Sequence, residues 1–267
     1  MNKIYNKSMQ SVLFAIIFFL LLSTPTKADR RYFGLSYLAY TPAARELELE
    51  LWQASRIGKE SGSFLTWQPQ IEFEYGVTNR LAASFYANYS LLKASGNNFS
   101  SSPLSFESVS LELRYRLTNQ NEYFLDPAVY FEITKGSGFT EYEPKLILSK
   151  RIDNFISALN VASAVEKNSE ENETESELEI TFGLGYEITN NFFAGLELRH
   201  TREYEEFYDG LKNNSTFIGP TLGYDTGEIN FVLSILAQVS GNPASYKNLD
   251  LAEHERYEIR LLASVEL

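Results

Sequence analysis

The chain contains no cysteine and only two histidines among its 267 residues. The first absence excludes disulfide frameworks, thiol nucleophiles and Cys-ligated metal centres. The second leaves little from which to build a multi-histidine metal site. Positive charge is scarce as well: 23 Lys and Arg stand against 35 Asp and Glu, for a formal charge of −12. Such a chain has little to offer phosphates and is not expected to bind nucleic acid. No apolar run reaches the twenty or so residues that a transmembrane helix needs, and the mean hydropathy is −0.23.

The one marked apolar run, from Val12 to Leu22, follows Lys3 and Lys7 and precedes Ser23-Thr24-Pro25-Thr26-Lys27-Ala28. A basic start, a short hydrophobic stretch and a small-residue end are the pattern of a secretory signal peptide. Residues 1–28 are expected to be removed after Ala28. They carry three lysines and no acid, so the remaining chain would hold 20 basic and 35 acidic residues, a charge of −15.

From residue 44 onward the hydrophobic period is two rather than 3.6. Glu46, Glu48 and Glu50 alternate with Leu47, Leu49 and Leu51; Glu72 and Glu74 alternate with Ile71, Phe73 and Tyr75. Leu178, Ile180, Phe182, Leu184 and Tyr186 oppose Glu179, Thr181, Gly183, Gly185 and Glu187. A strand sends such a set of acids to one face, whereas a helix would scatter them. Twelve segments of this kind are predicted, at 44–57, 64–77, 80–94, 105–118, 123–135, 139–150, 154–166, 176–189, 191–202, 215–225, 229–240 and 256–267. Short links alternate with longer ones, except that 136–138 is short where a long one is due. A polar face on every strand, an even strand count and this cadence predict a twelve-stranded antiparallel transmembrane β-barrel of the outer-membrane type. A soluble two-sheet sandwich also uses alternating strands, but these segments are long for one. Aromatics near segment ends (Trp52, Trp67, Tyr75, Tyr115, Phe192 and Tyr257) fit interfacial girdles. Pro69, Pro127, Pro144 and Pro220 fall inside predicted strands at outward positions, where each removes a ladder donor. Residues 29–43 form an aromatic lead-in ahead of the barrel domain, 44–267, and are expected to tuck into or against the lumen.

With the apolar parity facing lipid, the lumen would carry Glu46, Glu48, Glu50, Glu72, Glu74, Glu112, Glu132, Glu179, Glu187, Glu197 and Glu258. With them would stand Arg114, Arg116, Lys145, Arg199 and Arg260. A porin-like passage for small solutes through an acid-rich lumen, preferring cations, is the leading expectation. The alternatives are a non-conducting structural or surface-binding barrel filled by ion-paired side chains, and an outer-membrane lipid hydrolase. The hydrolase would need a Ser within reach of His200 or His254. No nucleophile-elbow pattern is present, so no enzyme activity and no catalytic residue are expected. The acidic run at 166–177 lacks the ligand ladder of an EF-hand and reads as a solvated loop. Gly183 and Gly185 lie mid-strand and are expected to make room for neighbouring side chains rather than to cradle phosphate. No cofactor and no bound metal are expected.

Several stretches carry a family resemblance: Glu46-Leu47-Glu48-Leu49-Glu50-Leu51-Trp52, Glu72-Phe73-Glu74-Tyr75-Gly76-Val77-Thr78-Asn79-Arg80, Ser110-Leu111-Glu112-Leu113-Arg114-Tyr115, Gly219-Pro220, and Leu249 through Arg256 with its His254-Glu255-Arg256. Through nearly the whole length from Tyr40, the chain resembles a family of uncharacterised exported proteins of Gram-negative bacteria, presumed outer-membrane barrels. The resemblance implies residence in the outer membrane among lipid and lipopolysaccharide, and recognition of the C-terminal strand by the barrel-assembly machinery. It brings no activity and no catalytic residue. Such barrels commonly end in Phe or Trp, whereas this chain ends in Leu267.

Overall fold

Alternating strands can satisfy every backbone donor and acceptor in a membrane only by closing on themselves, and these do. The computed structural model describes residues 30–95, 101–168 and 173–267. The expected signal peptide, residues 1–28, and part of the acidic run, 169–172, lie outside the described residues. In order, the strands are β1 (Leu47–Ile57), β2 (Ser63–Thr78), β3 (Leu81–Ser95), β4 (Ser102–Arg116), β5 (Asp126–Gly136), β6 (Phe139–Ile152), β7 (Phe155–Asn168), β8 (Thr174–Glu187), β9 (Phe192–Tyr204), β10 (Leu211–Asp225), β11 (Ile229–Asn242) and β12 (Tyr257–Glu266). Each pairs antiparallel with its neighbours, and β12 returns to β1 through Leu49↔Val265 and Ser55↔Ile259, closing the barrel.

Both ends of the barrel chain, Leu47 and Glu266, lie at one rim, called the lower rim below. The links 79–80, 117–125, 153–154, 188–191 and 226–228 also lie there. The upper rim carries the others, among them 58–62, 137–138, 205–210 and 243–256. The link at 117–125 departs from the short one expected there. Asn121 is left-handed (φ 60°), and Tyr123 and Phe124 are 61% and 87% exposed, so nothing draws these residues into the ladder. β1 also begins three residues later than expected. Arg45 is left-handed (φ 77°) and Glu46 N donates to Ala43 O, which makes 43–46 a turn rather than strand.

Parity is kept around the barrel. Phe73, Phe85, Leu111, Leu184 and Leu222 are exposed, while Glu72, Ser84, Ser110 and Thr221 on the other face are buried. Three of the four prolines are accommodated by breaking one ladder each. Pro69 pairs with Gln53 of β1 while pairing with β3 lapses between Trp67 and Gln70. Pro144 pairs with Phe131 of β5 while pairing with β7 lapses between Tyr142 and Lys145. Pro220 pairs with Leu196 of β9 while pairing with β11 lapses between Ile218 and Thr221. Pro127 stands near the start of β5, where only its carbonyl is used, accepting from Leu117 N.

Residues 30–42 form a strap inside the lower half of the barrel, and 43–46 turn at its rim into β1. Tyr32, Phe33 and Leu38 pack on Ile156, Ala158 and Phe193; Ala39 packs with Ala128, Tyr130 and Ile147; Leu35 packs with Phe217 and Leu236. Each buried Phe or Leu of this kind contributes roughly 1.5–3 kcal/mol. These clusters, not the outward apolar face, make up the apolar core.

Candidate functional site

A strap threaded through a barrel has no strand beside it, so its backbone donors must find side chains. Arg30 begins at the lower rim, with Nη1 donating to Glu187 at 3.1 Å and to Asn190 O at 2.9 Å. Tyr32 Oη donates to Glu187 Oε1 at 2.6 Å. Arg151 closes the group, donating to Tyr32 Oη at 3.0 Å and pairing with Glu187. Farther in, the Glu197 carboxylate of β9 receives three consecutive amides, from Gly34 at 3.0 Å, Leu35 at 2.9 Å and Ser36 at 3.0 Å. Ser234 Oγ also donates to Glu197. Asn160 acts as a one-residue strand partner: its Oδ1 receives Tyr37 N at 2.6 Å and its Nδ2 donates to Tyr37 O at 2.9 Å. Ala39 N reaches Ser149 Oγ at 3.0 Å. The strap then descends to the lower rim, where Ala44 N donates to Asn79 Oδ1 at 2.9 Å and Arg45 N to Gly76 O at 2.7 Å.

Two glycines admit this course. A Cβ on Gly76 would fall 1.9 Å from Ala43 O, a backbone atom that cannot swing aside. A Cβ on Gly183 would fall 2.8 Å from the Phe33 ring, and one on Gly185 2.2 Å from Phe193. These mid-strand glycines thus give room to side chains, as expected.

The charged residues of the interior fall into two groups. Near β1, β2 and β4, five buried carboxylates (Glu48, Glu50, Glu72, Glu74 and Glu112) surround the guanidinia of Arg31 and Arg114. Arg31 Nε meets Glu50 at 2.9 Å and Arg31 Nη2 meets Glu74 at 3.2 Å; Arg114 pairs with Glu74 and lies 3.5 Å from Glu112. Tyr37 of the strap sits among three cations, with Arg31 4.5 Å, Arg114 5.3 Å and Lys145 4.8 Å from its ring centre. The second group lies higher: Arg199 pairs with Glu255 at 2.9 Å and Glu258 at 2.5 Å, and Arg260 pairs with Glu258 at 2.5 Å.

Glu255 belongs to the 243–256 link, which folds inward rather than standing out in solvent. Asp250, Leu251, His254 and Glu255 are all buried, and Lys59 Nζ clips the link by donating to Ala252 O at 3.1 Å and Glu253 O at 2.7 Å. Above the strap, a cavity of about 380 Å³ is lined by Trp52, Gln70, Glu107, Glu132, Glu141 and Arg260, among others. An adjoining cavity of about 200 Å³ shares Glu141 and Glu166 and adds Glu175, Glu177 and Glu203. Below the strap, about 290 Å³ opens between Arg30, Arg151, Glu187, Asp225 and Glu228. Beside the strap, a pocket of about 20 Å³ is lined by Arg31, Tyr32, Glu48, Glu74 and Arg114, among others.

Of the residues singled out from alternation, Glu48, Glu50, Glu72, Glu74, Glu112, Arg114, Glu197, Arg199 and Glu258 are buried at inward positions, and Glu132, Lys145, Glu179 and Arg260 are half-buried. Glu187 lies at the lower rim. Two others also lie at that rim. Glu46 folds back on Ala43 N at 2.7 Å, because its residue is in the turn before β1. Arg116 ends β4 and donates to Asn79 O in the neighbouring turn. Trp52, read as a girdle aromatic, points inward with the even positions of β1 and donates Nε1 to Glu50 and Glu72. Arg31 and Tyr37 escaped the alternation because the strap has none; an arginine in an aromatic stretch ahead of an acid-rich barrel was the available signal. His200 faces outward and bonds Thr216 Oγ1 at 2.9 Å; His254 bonds Asn213 Oδ1 at 2.8 Å. Neither of these contacts involves a serine.

Residues 25–133 and 120–267 match the model of a family of unknown function, DUF6662. No curated protein matches the chain in sequence. Among solved structures, the barrel is similar to the COG4313 outer membrane channel from Pseudomonas putida F1, with a TM-score of 0.69 and 8% identity over 86% of this chain and 98% of that one. It is similar to the NanC porin, with a TM-score of 0.56 and 14% identity over 82% of this chain and 100% of the porin. The translocator domain of the autotransporter NalP from Neisseria meningitidis follows at a TM-score of 0.51 and 10% identity, over 86% and 91%. At such identities the likeness is one of fold, that of outer-membrane barrels. Matched by that family model over both halves, the chain belongs to the family of unknown function DUF6662.

Proposed function

We propose that the protein is an outer-membrane channel passing small cationic or polyhydroxylated solutes, with the strap as its constriction. One observation carries this reading: two polar cavities on opposite sides of the strap, the upper one walled by Glu107, Glu132 and Glu141. Acids in a confined aqueous path attract cations and repel anions. The similarity of the fold to a channel and a porin supports the same reading. By the usual orientation of such barrels, the lower rim faces the periplasm. In planar bilayers the purified protein is expected to give discrete, cation-preferring steps. Deleting residues 31–40 should enlarge those steps while heat-modifiable gel migration shows that the barrel persists. Silence from both forms overturns the reading in favour of a non-conducting barrel, which the filled lower half favours.

A further inference from the structure

The pairing of β1 with β2 sets Glu48 opposite Glu74 and Glu50 opposite Glu72, and all four are buried. Like charges facing across a ladder repel, and buried carboxylates need cations or donors. Arg114 of β4 answers Glu74 from a strand, whereas the cation that joins Glu50 to Glu74 comes from the strap. Arg31 donates Nε to Glu50 Oε1 at 2.9 Å, and Nη2 to Glu50 Oε2 at 3.3 Å and to Glu74 Oε2 at 3.2 Å. Its guanidinium carbon lies 5.8 Å from the Trp52 ring centre. Trp52 Nε1 holds the acids in place, donating to Glu50 Oε2 at 2.9 Å and Glu72 Oε2 at 3.0 Å. A forked carboxylate contact beside an aromatic face is the chemistry that recognises a guanidinium. The other oxygen of Glu72, in a side chain with 0% exposure, has no hydrogen-bond partner, so Arg31 does not saturate the site.

We propose that Glu50, Glu72, Glu74 and Trp52 form a seat for guanidinium or primary-ammonium solutes, and that Arg31 is its built-in occupant. The inference rests on the channel reading for the delivery of solute and names the solute class. Trp52 and Gln70 both donate to Glu72 and both line the floor of the upper cavity, so a solute descending through it meets the seat first. Arg31 already occupies Glu50 and Glu74, and the pocket it lines with Glu48, Glu74 and Arg114 is about 20 Å³, room for a single water. Solute and Arg31 therefore exclude one another. A short tether holds its end group at an effective concentration in the millimolar range, so free solute competes with Arg31 only above that level.

The test is a fluorescence titration with methylguanidinium in detergent. Trp52 and Trp67 are the only tryptophans, so an outward Trp67→Phe background leaves Trp52 as the reporter. Arg31→Ala should show a saturable change, with half-saturation lower than in the Arg31 protein by about tenfold or more. Sodium chloride at equal ionic strength should not reproduce it. Adding Glu72→Gln or Glu50→Gln to Arg31→Ala should remove it, with heat-modifiable migration retained as the check on folding. No saturable change in Arg31→Ala, or an equal change with sodium, overturns the proposal. The readout needs no conductance. A responsive seat with silent bilayers fails the channel reading alone, and a conducting barrel with an unresponsive Trp52 fails the seat alone.

Discussion

The two halves of the barrel are built on the same alternation and have different interiors. In the lower half, inward positions on β5–β7 and β9 carry Ala128, Ile147, Ile156, Ala158 and Phe193, and those on β11 and β12 carry Val232 and Leu262, all buried. On β8 they carry Gly183 and Gly185, which leave space for Phe33 and Phe193. In the upper half, inward positions are long and polar, as with Gln70, Glu132, Glu141 and Arg260, and they border open cavities. A barrel of this width has room that its own side chains do not fill. Below, the strap fills it, so the facing residues match it: apolar or small around Phe33, Leu35 and Leu38, and acidic around Arg31 and the amides of residues 34–36. Above, apart from the inward-folded 243–256 link, the walls border open cavities and are polar.

That contrast can be broken most severely at Glu197. Replacing it with Ala leaves the amides of Leu35 and Ser36 buried without an acceptor, and that of Gly34 with Ser234 Oγ alone. A loss of roughly 3–5 kcal/mol is expected, read as a lowered midpoint in urea unfolding followed by gel migration. An unchanged midpoint would mean that the strap is not a fixed part of the lower half. Gly76→Ala acts on the strap's exit by forcing a Cβ against Ala43 O. Overpacking against backbone costs about 1–3 kcal/mol, and residues 30–45 should become open to protease while the strands stay resistant. Equal resistance before and after would show that the exit can shift without releasing the strap.

The smallest effect concerns the upper half and pH. Burial holds the His254 imidazole below the ordinary histidine value, with Glu203, Glu255 and Asp250 opposing that shift and Arg199 adding to it. The folded link therefore prefers neutral His254, whereas the unfolded chain takes up a proton near pH 6.5. The contribution is complete above about pH 6.5 and is lost as pH falls from there through the lowered folded value. Hydrogen exchange of the 243–256 link should rise on acidification before that of the strap does. His254→Gln should flatten this dependence. A strap that loosens first would reverse the comparison between the halves.

Much of the barrel was readable from alternation alone, because a strand between two solvents must present two faces. The acids of β1, β2 and β4 stand at the inward positions that period two assigns to them. Its failures have physical causes. Trp52 looks like a girdle residue by composition, yet it shares the inward parity of Glu48 and Glu50 and uses its indole N–H to hold acids together. Ile147, Ile156 and Phe193 stand buried at inward positions because the strap supplies their apolar partners. Glu197 looked like one acid among many, and nothing local to it reveals that residues 34–36, more than 160 positions earlier, end on its carboxylate.

The scarcity of cysteine, histidine and positive charge, together with period two sustained over the chain, by itself determined long two-faced strands with acids on one side, whose length favours a closed barrel over a sandwich. Where the strap lies, which acid grips it and which cation sits between Glu50 and Glu74 were decided only by tertiary structure. Those contacts join residues far apart in sequence, in a segment with no periodicity, and depend on the space that barrel closure leaves inside.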